Sequence, residues 1–167
     1  MRKCRPAWSA FPLKTGHNML HNTRITMKTI LFVAFIVTMV GVASAYISCS
    51  LCDGSYVNFG PGTTGCVAAV RAKCPGLKNR PTDSWKRGTY VKSNCNSIPS
   101  GTAIATFFGA GATYNKGDYK HAAILIGCNA EGIQVHDQWV GKSGCGPRTI
   151  KYSGTRSDGG NNFWTID

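Results

Sequence analysis

Hydrophobic and polar residues are arranged along this chain in patterns that predict one helix and a series of short strands. Residues 30–42, "ILFVAFIVTMVGV", are continuously apolar and end at Ala43-Ser44-Ala45. Residues 46–64, "YISCSLCDGSYVNFGPGTT", are turn-rich and predict irregular chain. In "GCVAAVRAKC", Val67, Val70 and Cys74 recur at helical spacing while Arg71 and Lys73 turn outward. This predicts a helix from Thr64 or Gly65 that Pro75-Gly76 ends. "PTDSWKRG" predicts a second short helix, capped by Thr82 or Asp83, with Trp85 packed inward. "IPSGTAIATFF" reads as a strand that follows a Pro-Ser-Gly turn, and the glycine-rich "GAGATYNKGDYK" after it as a loop too polar and flexible for a core. "HAAILIG" (121–127) and "GIQVHDQW" (132–139) predict two strands joined by the turn "CNAE", and "RTIKYSG" and "FWTI" are further short strands. One helix followed by a run of antiparallel strands is an α+β arrangement.

The apolar run changes how the rest is read. It follows Lys28, is too short to span a bilayer comfortably, and closes on a small-x-small cleavage site. Residues 27–45 are therefore expected to be a cleaved secretion signal starting at Met27, and residues 1–26 an upstream extension. The mature chain would be a single secreted domain, 46–167, with no membrane anchor. Those 122 residues hold thirteen Lys and Arg against seven Asp and Glu, a net charge of +6. This charge is spread along the chain, which suits an anionic polymer such as a bacterial wall. No basic run interleaved with aromatic residues, and no nucleic-acid motif, points to a nucleic-acid partner.

Cysteines sharpen the picture further. Removing the leader takes Cys4 and leaves seven, at 49, 52, 66, 74, 95, 128 and 145. In an oxidising compartment six are expected to pair and one to remain over. Cys49, Cys52, Cys74, Cys95, Cys128 and Cys145 are the disulfide candidates; proximity along the chain suggests Cys128 with Cys145 and Cys74 with Cys95. Cys49-x-x-Cys52 lacks partners at metal-site spacing, so no metal is expected.

Cys66 is the sulfur set apart. It falls in the first turn of the predicted helix, where unpaired N–H groups and the helix dipole stabilise a thiolate, and Thr63-Thr64-Gly65 supplies a cap and room for close approach. Cys74 lies at the other end, where the dipole opposes a thiolate. A thiolate nucleophile needs an imidazole, and the mature chain offers His121 and His136. His121 opens a strand beside the loop. A tight turn flanked by 127 and 131 sets it opposite Asp137, within a residue or two if Gly132 forms a bulge. Asp137 shares parity with Ile133 and Val135, and His136 points to the other face. Gln138 is a polar neighbour of this grouping; the loop 109–120, Trp85 and Trp139 can shape a cleft, although either tryptophan also suits a core.

The order of thiol on a helix, histidine on a strand and acid on the next strand resembles the papain-like cell-wall amidase superfamily, the CHAP and NlpC-type cysteine peptidases. Within it the chain is most similar to small amidases related to type VI secretion effectors. The matching residues are "GCVAAVRAKCPG", "TDSWKRGTYV", "IPSGTAIATF", "HAAILIG" and "GIQVHDQW". The resemblance implies a papain-like α+β fold, with an N-terminal helix carrying the catalytic cysteine packed on an antiparallel sheet. It implies Cys66 as nucleophile, His121 as general base and acid, and Asp137 as the orienting residue, where other members carry Glu, Asn or His. The Gly-Asp that commonly opens a strand in the superfamily is Gly101-Thr102 here. The extra cysteines and the leader read as adaptation to an extracellular setting, defensive or digestive. The expected activity is hydrolysis of amide bonds in the peptide stems of bacterial peptidoglycan, by a monomer without cofactors. Two alternatives share the fold: a non-catalytic secreted wall-binding or antimicrobial module, and a cysteine peptidase acting on proteins.

Overall fold

The computed structural model describes residues 46–61, 63–108, 113, 114 and 119–167. The expected extension and leader lie outside the described residues, as does most of the loop 109–120. In chain order the elements are α1 (Gly65–Lys73), β1 (Arg87–Tyr90), α2 (Val91–Asn94), β2 (Thr102–Thr106), β3 (Ala122–Cys128), β4 (Gly132–Asp137), β5 (Gly146–Lys151) and β6 (Phe163–Ile166), linked by short 3-10 turns. The strands form one antiparallel sheet in the order β1-β6-β2-β3-β4-β5. The expected α+β, papain-like class is borne out. Among the described residues no helix is long and apolar enough to cross a membrane.

Alternation along the strands divides the core in two. Ala103, Ala105, Ala122, Ile124 and Ile166 pack on one face with Ala69 and Val70 of α1. Ile104, Ala123, Leu125, Ile133, Val135, Ile150 and Phe163 form the other cluster with Val91 and Ile98. The alanines facing α1 let the helix lie close to the sheet, and this keeps its first turn near the start of β3. Both faces of β2 are covered, so all five of its residues are buried.

Several expectations are corrected. "PTDSWKRG" holds only a 3-10 turn, Thr82–Ser84, with Pro81 rather than Thr82 or Asp83 at its cap position, and the chain then extends into β1. Trp85 is buried as expected. Tyr114, from the loop read as too polar for a core, is 5 % exposed and belongs to the α1-side cluster. The β3–β4 register differs by two residues from the expected one: Ile124 pairs with His136 and Leu125 with Val135, and the irregularity falls between Leu125 and Gly127, not at Gly132. An even shift preserves the face on which each side chain points.

The disulfides are Cys49–Cys74, Cys52–Cys145 and Cys95–Cys128. Both expected pairs are thus wrong, for a spatial reason. Cys128 pairs with Ile133 at the start of β4, whereas Cys145 precedes Gly146, the partner of Asp137 at its end. The length of a strand separates them, well beyond the span of roughly 7 Å that a disulfide bridges. Cys74 sits in the α1-side cluster and Cys95 against the other. Cross-linking loops of 25, 93 and 33 residues, each bridge removes unfolded-chain entropy worth roughly 3–5 kcal/mol taken singly.

Candidate active site

Gly65 begins α1 at φ 66°, in the left-handed region that glycine occupies without strain. Thr64 stands at the cap position but makes no side-chain cap, contrary to the expectation for Thr63-Thr64-Gly65. The Gly65 N–H donates instead to the Tyr56 hydroxyl at 3.2 Å. From below, the fully buried Gln138 amide donates to the carbonyls of Gly65 (2.9 Å) and Val57 (2.6 Å) and accepts from the Val57 N–H (2.9 Å). Gln138 therefore holds the first turn in place rather than lining the cleft.

Cys66 is the one free cysteine among the described residues. It lines one cleft with His121. Burial pushes the thiol up, but the hydrogen bond and charge of His121, helped by the backbone N–H groups of Ala122 and Val67, outweigh it and hold the thiol below its ordinary value. His121 is itself fastened to the end of β2, its N–H donating to Thr106 Oγ1 at 2.9 Å and its carbonyl accepting from the Thr106 N–H at 2.9 Å. Its Nε2 lies 2.7 Å from Asp137 Oδ2, which leaves Nδ1 for the sulfur. Burial disfavours the imidazolium, yet the bonds to Asp137 and Cys66 prevail and raise His121 to about 9.

Asp137 is fully buried and surrounded by cations. Arg148 donates to Oδ2 through Nε (2.9 Å) and Nη2 (2.6 Å), and Lys142 Nζ donates to Oδ1 at 3.0 Å. Burial opposes the charge, but His121 and Arg148 hold this carboxyl well below the usual carboxylate range. Arg148 also donates to Asp158 at 2.9 Å, and both Arg148 and Lys142 lie over the Trp139 ring.

A cleft of about 700 Å³ opens onto this grouping, lined by Thr64, Gly65, Cys66, Lys120, His121, Trp139, Val140, Arg148, Ser157 and Asp158. The structure thus brings Cys66, His121 and Asp137 together and puts Trp139, 43 % exposed, on the cleft wall. Trp85 is not on that wall; it packs in the core with its ring 5.2 Å from Tyr114. His136 stands apart, accepting from the Cys52 N–H at 3.1 Å. Among the described residues no three His, Cys, Asp or Glu side chains converge to hold a metal.

Comparison with known proteins identifies the family. Residues 35–166 match the family described as domesticated amidase effector 2. The chain belongs to that family. A domesticated amidase effector 2 of Ixodes scapularis is 46% identical over 104 residues, covering 61% of this chain and 70% of the relative. The solved structure of a type 6 secretion amidase effector 2 superposes with a TM-score of 0.55 at 25% identity, covering 68% of this chain and 87% of that one. The expected kinship to amidases related to type VI secretion effectors is therefore borne out.

In this member of the domesticated amidase effector 2 family, sequence reasoning missed three residues around the site: Tyr56, Lys142 and Arg148. Arg148 lies in a predicted strand two residues before Ile150, but nothing local says that it faces Asp137 across β4–β5. Only the pairing of Val135 with Arg148 puts it there.

Proposed function

We propose that the protein is a secreted cysteine amidase that hydrolyses amide bonds in the peptide stems of bacterial peptidoglycan, with Cys66, His121 and Asp137 as its catalytic triad. The observation that carries this reading is an unbridged cysteine, in a chain whose other described cysteines are all bridged, lining one cleft with a histidine that lies 2.7 Å from a buried carboxylate. The family and the relative's name, an amidase effector, support the reaction class. Three disulfides and the signal-like segment 27–45 support export to an oxidising compartment.

The thiolate of Cys66 attacks the amide carbonyl while His121 is held as imidazolium by Asp137. The oxyanion forms near the N–H of Cys66, a donor fixed at the helix start. His121 then gives its proton to the departing amine and leaves a thioester. The neutral imidazole next takes a proton from water, whose oxygen attacks the thioester and releases the carboxylate and the Cys66 thiolate. Asp137 stays ionised throughout, because Arg148 and Lys142 compensate its charge. The positive charge of the mature chain favours contact with an anionic wall.

Mass spectrometry of purified peptidoglycan after digestion tests the proposal. Wild type is expected to release peptide-containing fragments whose masses identify the bond cut, and Cys66→Ala none. Binding to the wall with no fragments released by either protein would leave a non-catalytic wall-binding role as the reading, and equal release by both would remove Cys66 as the nucleophile. Cleavage of casein with no wall fragments would make the protein a peptidase.

A further inference from the structure

We propose that Asp158 is a specificity-determining residue of this site: its carboxylate receives a protonated amine that the peptide stem carries on an aliphatic chain near the amide to be cut. The inference rests on the reading of the site as a peptidoglycan amidase and names the substrate feature that its cleft selects.

Asp158 lines the cleft with Lys120, Trp139, Val140 and Arg148. Its Oδ1 accepts from Arg148 Nη1 at 2.9 Å, and among the described residues no hydrogen bond takes its Oδ2. The Asp158 side chain is 70 % exposed, so this ion pair adds little to stability. Arg148 does not depend on it, because the buried Asp137 already accepts from Nε and Nη2. The loop is nonetheless built to hold Asp158 in place. Arg156, two residues earlier, has φ 53°, in the left-handed region where a residue with a side chain is strained. Its carbonyl accepts from the Gly159 N–H at 3.2 Å and from Asn162 Nδ2 at 2.9 Å. The Asp158 N–H donates to the Thr155 carbonyl at 3.0 Å, and a Cβ at Gly154 would strike the Asp158 carbonyl oxygen. The Arg156 guanidinium lies 3.8 Å from the centroid of Tyr119, the other described non-glycine residue at positive φ (70°). This strained pair joins the two segments that bring Lys120 and Asp158 to the cleft. Such strain persists where the surroundings over-determine it, and it concentrates at functional sites.

The charges along the cleft decide what Asp158 recognises. Lys120, Arg148 and the His121 imidazolium are cationic, and among the described lining residues Asp158 alone is acidic. Without it the wall would repel a cation. With it, an oxygen open to the cleft offers a charge-assisted hydrogen bond to an ammonium. Trp139 and Val140, 43 % and 73 % exposed, supply apolar surface to the same cleft. Arg148 links the two features, since its guanidinium also lies 5.0 Å from the Trp139 centroid. An apolar strip beside a carboxylate fits an aliphatic chain that ends in an ammonium. Peptidoglycan stems carry that group as the side chain of their diamino acid.

The test compares soluble peptidoglycan fragments with free amines, the same fragments N-acetylated, and the same fragments reductively dimethylated, which adds bulk and keeps the charge. For wild type, acetylation is expected to raise KM about tenfold, the size of one charge-assisted hydrogen bond, and dimethylation less than about threefold. Asp158→Asn keeps an acceptor for Arg148 and removes the charge. It is expected to raise KM about tenfold on free-amine fragments, with an unchanged melting temperature, and to show no further loss on acetylated ones. Indifference of wild type to acetylation, an equal acetylation penalty in Asp158→Asn, or a loss in kcat with KM unmoved would each overturn the proposal. Calorimetric binding of the three fragment sets in a Cys66→Ala background reads the same preference without turnover. If neither wild type nor variant cuts any fragment, the amidase reading falls, and an equal affinity for free and acetylated fragments there would overturn the role of Asp158 separately.

Discussion

The two ends of helix α1 carry the same residue type under opposite conditions. At the first turn Cys66 is unbridged and shares a cleft with His121, whose charge, with the backbone N–H groups of Val67 and Ala122, favours a thiolate. At the last turn Cys74 is fully buried and bridged to Cys49. There the exposed backbone groups are carbonyls, and Lys73 O is satisfied by the N–H (2.8 Å) and hydroxyl (3.3 Å) of Ser50. The helix dipole there disfavours a thiolate, and the cation at that end, Lys73, pairs with Asp53 at 3.6 Å. The difference teaches that a cysteine's chemistry follows from the donors around it and not from its place in a cysteine-rich chain. It also teaches that the staple is part of the site, since it fixes the far end of the helix whose near end must meet β3.

The largest test of this contrast removes the reactive sulfur. Cys66→Ala is expected to lower wall hydrolysis at least about a thousandfold, with a melting temperature close to that of wild type, because no bridge is lost. Next in size is Asp137→Ala, which leaves Arg148 and Lys142 without their shared carboxylate. It is expected to cost about 3–5 kcal/mol in denaturant unfolding, as for a broken buried ion pair. Activity of the folded fraction should fall roughly a hundredfold as His121 loses its orienting partner. An Asp137→Ala protein as active as wild type would show that the third residue is structural alone.

At the opposite end of α1, Cys49→Ala with Cys74→Ala is expected to cost about 2–4 kcal/mol and to leave Cys66 alkylation of the folded protein unchanged. A large loss of alkylation rate there would mean that the two ends are more tightly coupled than their separation suggests.

The smallest effect is a pH response. With Cys66 held below its ordinary value and His121 raised to about 9, the thiolate–imidazolium pair exists between the two. Activity should therefore rise as pH climbs through the lowered thiol value and fall as pH passes about 9, where His121 loses the proton it must give to the leaving amine. Asp137, held low, contributes stability that is complete above the ordinary carboxylate range. That contribution is lost as pH falls toward its depressed value, so acid melting should follow it. Measuring kcat/KM and melting temperature across the same buffers separates the two.

What the order of residues determined by itself was local. The apolar spacing of 65–74 specified the helix, and the strands β2 to β6 were visible within two or three residues, because period and turn residues act over a few positions. An odd thiol at a helix start, a histidine opening a strand and an acid at the end of the next were legible for the same reason. Even a register error of two residues left Asp137 on the face of His121, since strand parity survives an even shift. Tertiary structure decided everything that depends on packing between distant segments. It inserted β6 between β1 and β2, and chose the disulfides Cys49–Cys74, Cys52–Cys145 and Cys95–Cys128. It carried Tyr114 into the core, and brought Lys142 and Arg148 to the site. These contacts join residues whose local sequence shows no sign of them. A hydrogen bond or a bridge depends on where atoms meet in space, and only the closed sheet with its helix determines that.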